Sequence, residues 1–290
     1  MSGGFRSRSA GRREDKPARN RQQGGQQGSS AKQQARKQGG GRQRYTVKGR
    51  PASIGDPARE AAFEVVLRVA RDGAFANLTL PGILRERKIT GRDAAFATEL
   101  AYGTLRSLGV LDAVIAKNAS RELDRIAPEV LAALRMGTYQ LLYTRVGDHA
   151  AVDTSVRLVE AAGHEKAKGF ANGVLRSIAR TPADEWLRTL APDSELGALA
   201  FTHAHPEWIA RSFAEALGDK RDELAAALEA DSARPVVHLV ARPGEISAEE
   251  LALATGGVQG KYSPYAVYLP EGDPGQLEPV REGLAAVQDE

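Results

Sequence analysis

The chain has 290 residues, which is long enough for one large domain or two smaller ones that each bury a core. It contains no cysteine, which excludes disulfides, thiolate metal ligands and a cysteine nucleophile within these residues. The sequence has no apolar run of about 18 residues and no secretory signal, so we expect a cytoplasmic protein without a membrane span.

The net charge of +3 hides two regions of opposite sign. Residues 1–50 carry 14 Lys or Arg side chains and two acidic ones, whereas residues 51–290 carry 26 basic and 35 acidic side chains. The first region is rich in Arg, Gln, Gly and Ser, and it has too few aliphatic side chains to bury a core. We predict a disordered basic tail over residues 1–50 that contacts a polyanion, with a merely solubilising extension as the alternative.

Apolar residues at helical spacing predict an all-α bundle over residues 56–181. Asp56 followed by Pro57 predicts the first helix start, and Gly73 predicts its end. The same spacing predicts the later helices, over Leu78–Arg87, Arg92–Arg106, Leu108–Asn118, from Pro128, from Asp148, and through Phe170, Val174 and Ile178.

Three local signals add detail to this bundle. Thr90 with Asp93 three residues later predicts a capping box at the start of the third helix. Asp148 is expected to cap the sixth helix. Gly103 costs about 1 kcal/mol relative to alanine inside a helix, so it indicates close contact with a neighbouring helix.

Residues 182–290 are predicted to form a second module that mixes helices and strands. Helices are predicted over Glu185–Leu190, Glu195–Ala204, Pro206–Leu217 and Asp222–Glu229. Alternating β-branched residues predict strands over Pro235–Ala241 and Tyr265–Leu269. Ser247 with Glu250 predicts a capping box for the helix between them. This order is that of a βαβ unit, which is too small to be stable without a packing partner.

Two segments have alternative interpretations. Gly256–Gly260 contains several glycines, but it follows a helix and lacks the G-x-G-x-x-G spacing, so a helix end is favoured over a nucleotide-binding loop. His203 and His205 have no Cys or carboxylate beside them at ligand spacing. We therefore predict packing or helix capping next to Pro206, and no metal site.

Seven phrases of the chain occur in a recognisable order. They are GAFANLTLPGILRERKITGRDAAFATELAYGTLR (Gly73–Arg106), LRMGTYQLLY (Leu134–Tyr143), HAAVDTSVRLVE (His149–Glu160), GFANGVLRSIAR (Gly169–Arg180), HAHPEW (His203–Trp208), RPVVHLVARPG (Arg234–Gly244) and REGLAAVQDE (Arg281–Glu290). Together they resemble the NusB-like and linker regions that open bacterial Sun/NOL1/NOP2-family rRNA cytosine-C5 methyltransferases. Family members usually carry asparagines where this chain has Asp231 and Ser232, which leaves the contacts of those amides open.

The resemblance implies that the catalytic machinery lies elsewhere. In the family, a VQDE-type segment leads into an S-adenosylmethionine domain with a glycine-rich loop and two cysteines, whereas this chain stops at Glu290. We therefore expect no catalytic, cofactor-binding or metal residues here, and no activity from the isolated chain. We also expect a missing C-terminal methyltransferase domain that packs on residues 182–290.

In this family the arginine-rich N-terminal side of the NusB-like domain faces RNA. The resemblance therefore implies rRNA contacts from basic residues of the tail and of the family-like phrases: Arg42, Arg44, Lys48, Arg50, Arg59, Arg106, Arg135 and Arg176. For Arg59, a solvated surface charge is the alternative. For the last three, an ion pair with an acidic neighbour is an equal alternative: Asp93, Asp112 or Glu129.

Two functions follow from these expectations. The first is the RNA-binding, substrate-positioning portion of an S-adenosylmethionine-dependent rRNA cytosine-C5 methyltransferase. The alternative is a NusB-type transcription antitermination factor that binds RNA without catalysis. Such a factor should end near Thr181, whereas this chain continues to Glu290, which favours the first function. A nonspecific nucleic-acid chaperone that acts through its tail is less favoured.

Overall fold

A computed structural model describes residues 53–233, 235–270 and 272–290. The predicted basic tail lies outside the described residues, and so do four of the predicted RNA contacts: Arg42, Arg44, Lys48 and Arg50. Within the described ranges, every helix is too short or too polar to cross a membrane.

The first part of the described chain is helical. It contains α1 (Pro57–Asp72), α2 (Ala76–Glu86), α3 (Gly91–Arg106), α4 (Leu108–Asn118), α5 (Pro128–Tyr143), α6 (Asp148–Ala161) and α7 (Lys168–Ile178). Short 3-10 turns over Leu123–Arg125 and Glu165–Ala167 precede α5 and α7. All of residues 57–181 are described and no strand interrupts them, so the predicted all-α bundle is confirmed.

Local chemistry sets both ends of α1 where the sequence predicts them. The Asp56 carboxylate accepts a hydrogen bond from the backbone N–H of Arg59 at 3.0 Å, and Pro57 is the first helical residue. At the other end, Gly73 adopts a φ of +63° and its N–H donates to the carbonyl of Arg68. Glycine reaches this left-handed conformation without the steric cost of a Cβ atom, so the helix stops there.

Two predicted caps are wrong. The Thr90 side chain makes no capping hydrogen bond at the start of α3. Asp148 is the first residue of α6 and not its cap, and the cap position is held by Gly147, which has no side chain to offer. The backbone N–H groups of Asp148 and His149 consequently have no hydrogen-bond partner among the described residues.

Helix α5 lies at the centre of the bundle and packs against α1, α3, α4, α6 and α7. Its Leu134 is fully buried. A Cβ atom added at Gly103 of α3 would lie 2.0 Å from the hydroxyl oxygen of Tyr139, and one added at Gly137 would lie 2.7 Å from the hydroxyl of Ser155. The predicted close contact at Gly103 is therefore confirmed, and Gly137 makes a second one.

Four further helices follow the bundle. They are α8 (Ala183–Leu190), α9 (Glu195–Thr202), α10 (Glu207–Leu217) and α11 (Leu224–Ser232), with a 3-10 turn over Gly218–Glu223. Trp186 of α8 is buried in the core of the bundle, and its indole N–H donates to the carbonyl of Ile178 at 3.1 Å. Helix α8 is thus packed directly on the bundle.

The HAHPEW phrase forms the turn between α9 and α10. Ala204 adopts a φ of +59° there, which ends α9. The His205 ring lies 2.9 Å from the Asp231 carboxylate, and the Ser232 hydroxyl donates to the carbonyl of His203 at 2.8 Å. The capping and packing interpretation of the two histidines is therefore confirmed, and Asp231 and Ser232 connect α11 to this turn.

The last part of the described chain is a four-stranded sheet. Its elements are β1 (Val237–Ala241), α12 (Ala248–Thr255), β2 (Val258–Gln259), β3 (Ala266–Leu269), a 3-10 turn over Pro274–Gln276, α13 (Glu278–Arg281) and β4 (Ala285–Val287). The strand order is β2-β3-β1-β4, and every neighbouring pair is antiparallel. The predicted strands β1 and β3 and the capping box of α12 are present. The βαβ arrangement is corrected, because β1 and β3 are antiparallel and two short strands complete the sheet.

The final residues of the chain close over one side of this sheet. The Glu290 carboxylate accepts hydrogen bonds from the backbone N–H groups of Tyr262 and Ser263 and from the hydroxyl of Tyr268. One residue earlier, the Asp289 carboxylate lies 2.6 Å from the His238 ring. We call this group of contacts the Glu290 clasp. It joins the end of the chain to the β2–β3 connection.

Candidate nucleic-acid interface

Helices α6 and α7 pack side by side and leave an open groove of about 380 Å³ between them. Its lining comes from α6, from α7 and from the turn after α7: Asp148, His149, Val152, Asp153, Val156, Asn172, Arg176, Ala179 and Arg180. Val152 is buried, and Val156 and Ala179 are half-buried. The groove therefore has an apolar floor, and exposed polar side chains form most of its rim.

The groove runs from the first turn of α6 to the last turn of α7. The unpartnered N–H groups of Asp148 and His149 lie at the start of α6, where the helix dipole is positive. Arg176 lies in the last turn of α7, where a cation complements the negative helix end. Hydrogen-bond donors from the start of α6 and from the end of α7 thus border the same groove.

Two arginines of the groove are available to bind an anion. The Arg176 Nε atom donates to the Asn172 side-chain oxygen at 3.1 Å, and Arg180 makes no side-chain hydrogen bond within the described ranges. Neither arginine forms an ion pair with a described carboxylate, so the ion-pair alternative for Arg176 is not observed there. An exposed guanidinium group without a carboxylate partner is suited to bind phosphate.

Arg59 has a different environment. Its guanidinium group pairs with the Asp56 carboxylate, donates to the side-chain oxygen of Gln140 at 2.9 Å and lies 4.9 Å from the centre of the Phe96 ring. Its side chain is only 12% exposed. These contacts hold α1 against α3 and α5, so the solvated-charge alternative is wrong, while RNA contact by Arg59 stays a prediction.

Arg135 and Arg106 also differ from each other. Arg135 forms two hydrogen bonds of 2.7 Å with the Asp112 carboxylate, so the ion pair that the sequence offered as an alternative is present. Arg106 is exposed at the end of α3. Burial and the nearby Glu99 carboxylate raise the pKa of Tyr139, and the charge of Arg106 partly opposes this rise. RNA contact by either arginine stays a prediction.

The groove contains several residues that the sequence patterns do not single out. Arg180, Asn172 and His149 lie in two of the family-like phrases, and these phrases correspond to α6 and α7. The missed signal is the four-residue spacing of Asn172, Arg176 and Arg180, which places the first two on one face of α7 and the third in the turn that follows the helix. Recognising that this face borders α6 requires the packed structure.

The other segments with predicted alternatives carry no comparable site. The helix end predicted at Gly256 is confirmed by its φ of +67°, and Val258–Gln259 belongs to strand β2. A groove between α12 and β2 is lined by Leu253 and other uncharged residues, with Glu249 as its charged member. Among the described residues, no three His, Cys, Asp or Glu side chains are grouped as metal ligands.

Comparison with known proteins places these helices in context. Residues 56–180 match the NusB family. Over 238 residues the chain is 56% identical to a Mycobacterium tuberculosis protein with the provisional name of methyltransferase, covering 81% of this chain and 52% of that protein. It is also 32% identical, over 181 residues, to an Escherichia coli ribosomal RNA small subunit methyltransferase B, covering 62% of this chain and 39% of that enzyme.

The chain thus spans about half the length of the mycobacterial relative. A solved structure, that of PH0851, superimposes on 83% of this chain and 54% of its own, with a TM-score of 0.62 and 16% sequence identity. At this identity the likeness shows the fold alone. The bundle is NusB-like, and the chain is homologous to rRNA small-subunit methyltransferases over a region that includes more than the bundle.

Proposed function

We propose that this chain is the RNA-binding, substrate-positioning portion of an S-adenosylmethionine-dependent rRNA cytosine-C5 methyltransferase. The observation that carries the proposal is the groove between α6 and α7, where Arg176 and Arg180 are exposed and unpaired among the described residues. The similarity to an enzyme named for ribosomal RNA supports this class of RNA. Phosphate contacts of this kind position an RNA without selecting its sequence.

Methyl transfer itself needs a site for the methyl donor and a nucleophile for the cytosine ring. A methyl donor with an adenosine group usually binds at a glycine-rich turn between a strand and a helix, whereas the glycine-rich segment here follows α12 and contains β2. Covalent attack on a cytosine ring needs a thiolate, and the sequence has no cysteine. We therefore assign both tasks to a further domain of a longer protein, packed on residues 182–290.

The alternative, a NusB-type antitermination factor, is supported by the match over residues 56–180 taken alone. The similarity to the mycobacterial relative extends over 238 residues, which is well beyond the length of that match. This extent favours the methyltransferase portion. Calorimetry with S-adenosylmethionine and a methyl-transfer assay on unmodified rRNA should both give no signal with the isolated chain, and measurable turnover would contradict the assignment.

The RNA-binding role is tested by titrating the full chain with a small-subunit rRNA fragment at several salt concentrations. Each phosphate neutralised on single-stranded RNA contributes about −0.7 to the slope of log K against log salt. The double variant Arg176→Ala/Arg180→Ala should therefore bind more weakly, with a slope reduced in magnitude by about 1.4. Arg188→Ala removes an exposed arginine outside the groove and should change the slope by less than one phosphate contact.

The same salt titration tests the contribution of the basic tail. We expect residues 1–50 to supply most of the affinity, with a slope of about −4 to −5 for the full chain if half of the tail charges engage at once. Deleting these residues should remove most of that slope. An equal slope with and without the tail would make it a spacer, and a full chain that binds no RNA at low salt would contradict the proposed function.

A further inference from the structure

The groove between α6 and α7 is large enough to hold one planar ring, and its floor is apolar. Its volume of about 380 Å³ falls at the low end of pockets that hold single small molecules. Val152, Val156 and Ala179 form an apolar strip along its base, and the His149 imidazole borders one end. Unstacked RNA bases bind to such apolar and aromatic surfaces.

One end of the groove collects donors for an anion. Arg176 lies in the last turn of α7, Arg180 lies in the turn just after that helix, and both line the groove together with the first turn of α6. The free backbone N–H groups of Asp148 and His149 begin that turn. A phosphate attached to a ring on the apolar strip would therefore meet two guanidinium groups and two backbone donors, which outnumber the single carboxylate of the first turn of α6, that of Asp148.

Acidic residues in the same groove restrict which ring fits. The Asp153 carboxylate lies on the turn of α6 between Val152 and Val156, and its nearest cation, Arg157, is 4.0 Å away. A carboxylate beside a bound nucleotide is favourable only when the base offers it a hydrogen-bond donor. The exocyclic amino groups of cytosine and adenine are such donors, whereas the only donor on the pairing edge of uracil, its N3–H, is flanked on both sides by carbonyl oxygens that repel a carboxylate.

We propose that this groove binds one unpaired nucleotide of single-stranded RNA whose base carries an exocyclic amino group. The base lies on the strip of Val152, Val156 and Ala179, its amino group donates to Asp153, and its phosphate is bound by Arg176 and Arg180. Uridine is disfavoured because two carbonyl oxygens flank its N3–H and would repel the carboxylate. This inference rests on the proposed RNA-binding function and adds base selection to it.

The test measures fluorescence anisotropy of labelled cytidine, adenosine and uridine hexamers with the full chain. Salt of about 0.3 M screens long-range attraction to exposed charges and so reduces the contribution of the basic tail. The unmodified chain should bind the cytidine and adenosine hexamers about five-fold more tightly than the uridine hexamer, which is the low end for one base contact. Arg188→Ala serves as the control and should leave that ratio unchanged.

Two variants separate base selection from simple attraction to phosphate. Asp153→Ala removes the acceptor, so it should raise uridine binding to the level of cytidine, whereas a purely electrostatic role would raise all three affinities by the same factor. Ala179→Phe fills the apolar strip without changing charge, and it should weaken cytidine and adenosine binding and abolish the ratio. Circular dichroism of each variant checks that the helices remain folded.

The outcomes distinguish this inference from the function on which it rests. Equal affinities for the three hexamers, or a ratio that survives Ala179→Phe, would overturn the nucleotide site. If Arg176→Ala/Arg180→Ala still weakens binding in that case, the groove contacts phosphate only and the RNA-binding function stands. If none of the hexamers and no rRNA fragment binds even at low salt, both proposals fail.

Discussion

The helical bundle and the four-stranded sheet are stabilised by different means, although they belong to one chain. In the bundle, α5 is surrounded by five other helices, and large side chains such as Leu134 and Leu175 are fully buried. In the sheet and its helix, six residues form the buried apolar cluster, and four of these six are alanine or valine. Burial of so little apolar surface stabilises a fold weakly, so polar contacts contribute a larger share of the stability of the sheet.

The Glu290 clasp illustrates this difference. It depends on a carboxylate, a phenol and backbone N–H groups near the surface, whereas the bundle depends on shape complementarity around Gly103 and Gly137. Cavities and overpacking should therefore damage the bundle most, and acid should loosen the sheet first.

The largest effect is expected from a cavity at the centre of the bundle. Leu134→Ala should lower the free energy of unfolding by about 2–5 kcal/mol, because it removes a fully buried side chain that surrounding helices cannot replace. Denaturant unfolding followed by circular dichroism measures this loss. Leu253→Ala is the matched control, since Leu253 is 81% exposed and its loss should change stability by about 0.5 kcal/mol or less. Equal losses would contradict the assignment of the core.

A smaller loss is expected from overpacking between α3 and α5. Gly103→Ala places a Cβ atom 2.0 Å from the Tyr139 hydroxyl, so the helices must move apart at a cost of about 1–3 kcal/mol. Gly109→Ala in α4 meets no atom within 4 Å and should stabilise the chain by up to about 1 kcal/mol through helix propensity. Thermal unfolding of both variants should therefore give shifts of opposite sign.

The smallest effect should be confined to the sheet and should depend on pH. Burial opposes ionisation of Glu290, but hydrogen bonds from Tyr268, Ser263 and Tyr262 outweigh it and lower its pKa. A carboxyl group whose pKa is lower in the folded state stabilises above its unfolded pKa, and this stabilisation is lost as the pH falls through the lowered value. Amide exchange in β4 and in the β2–β3 connection should therefore accelerate selectively in acid.

Glu290→Gln should produce the same local acceleration at neutral pH and remove its dependence on acid. Glu282→Gln changes an exposed carboxylate in the neighbouring turn that has no side-chain hydrogen bond among the described residues, so it serves as the control. Exchange in α5 should be unaffected by either change. Acceleration that is uniform across bundle and sheet would show that the clasp does not act locally.

Sequence patterns predicted the bundle well because helices are organised by neighbours in the chain. The Asp56 cap, the Gly73 stop and the helix from Pro128 all follow from contacts within one or two turns. The capping box expected at Thr90 is absent because the side chain makes no capping hydrogen bond, although Thr90 holds the cap position in extended backbone. The cap expected at Asp148 is absent because Asp148 lies one residue inside the helix and Gly147 holds the cap position. Strand β2 was not predicted because two residues are too few to show the alternation of apolar and polar side chains that is typical of a strand.

The candidate site was predicted only in part. Arg176 was selected from a family-like phrase and lies in the groove, but the sequence offered no means to separate it from Arg135, which is paired with Asp112. The two arginines lie in similar helical surroundings in the sequence. Whether a carboxylate faces an arginine is decided by a different helix, 23 residues away in the case of Arg135.

The sequence by itself determined the helical character of residues 57–181, the charge division at residue 50 and the absence of a thiol, since these depend on composition and local spacing. The tertiary structure decided which strands pair, because antiparallel β1 and β3 are joined by long-range hydrogen bonds that no local pattern encodes. It also decided that the end of α7 lies beside the start of α6. Packing of the two helices on α5 brings these ends together, and this contact creates the groove.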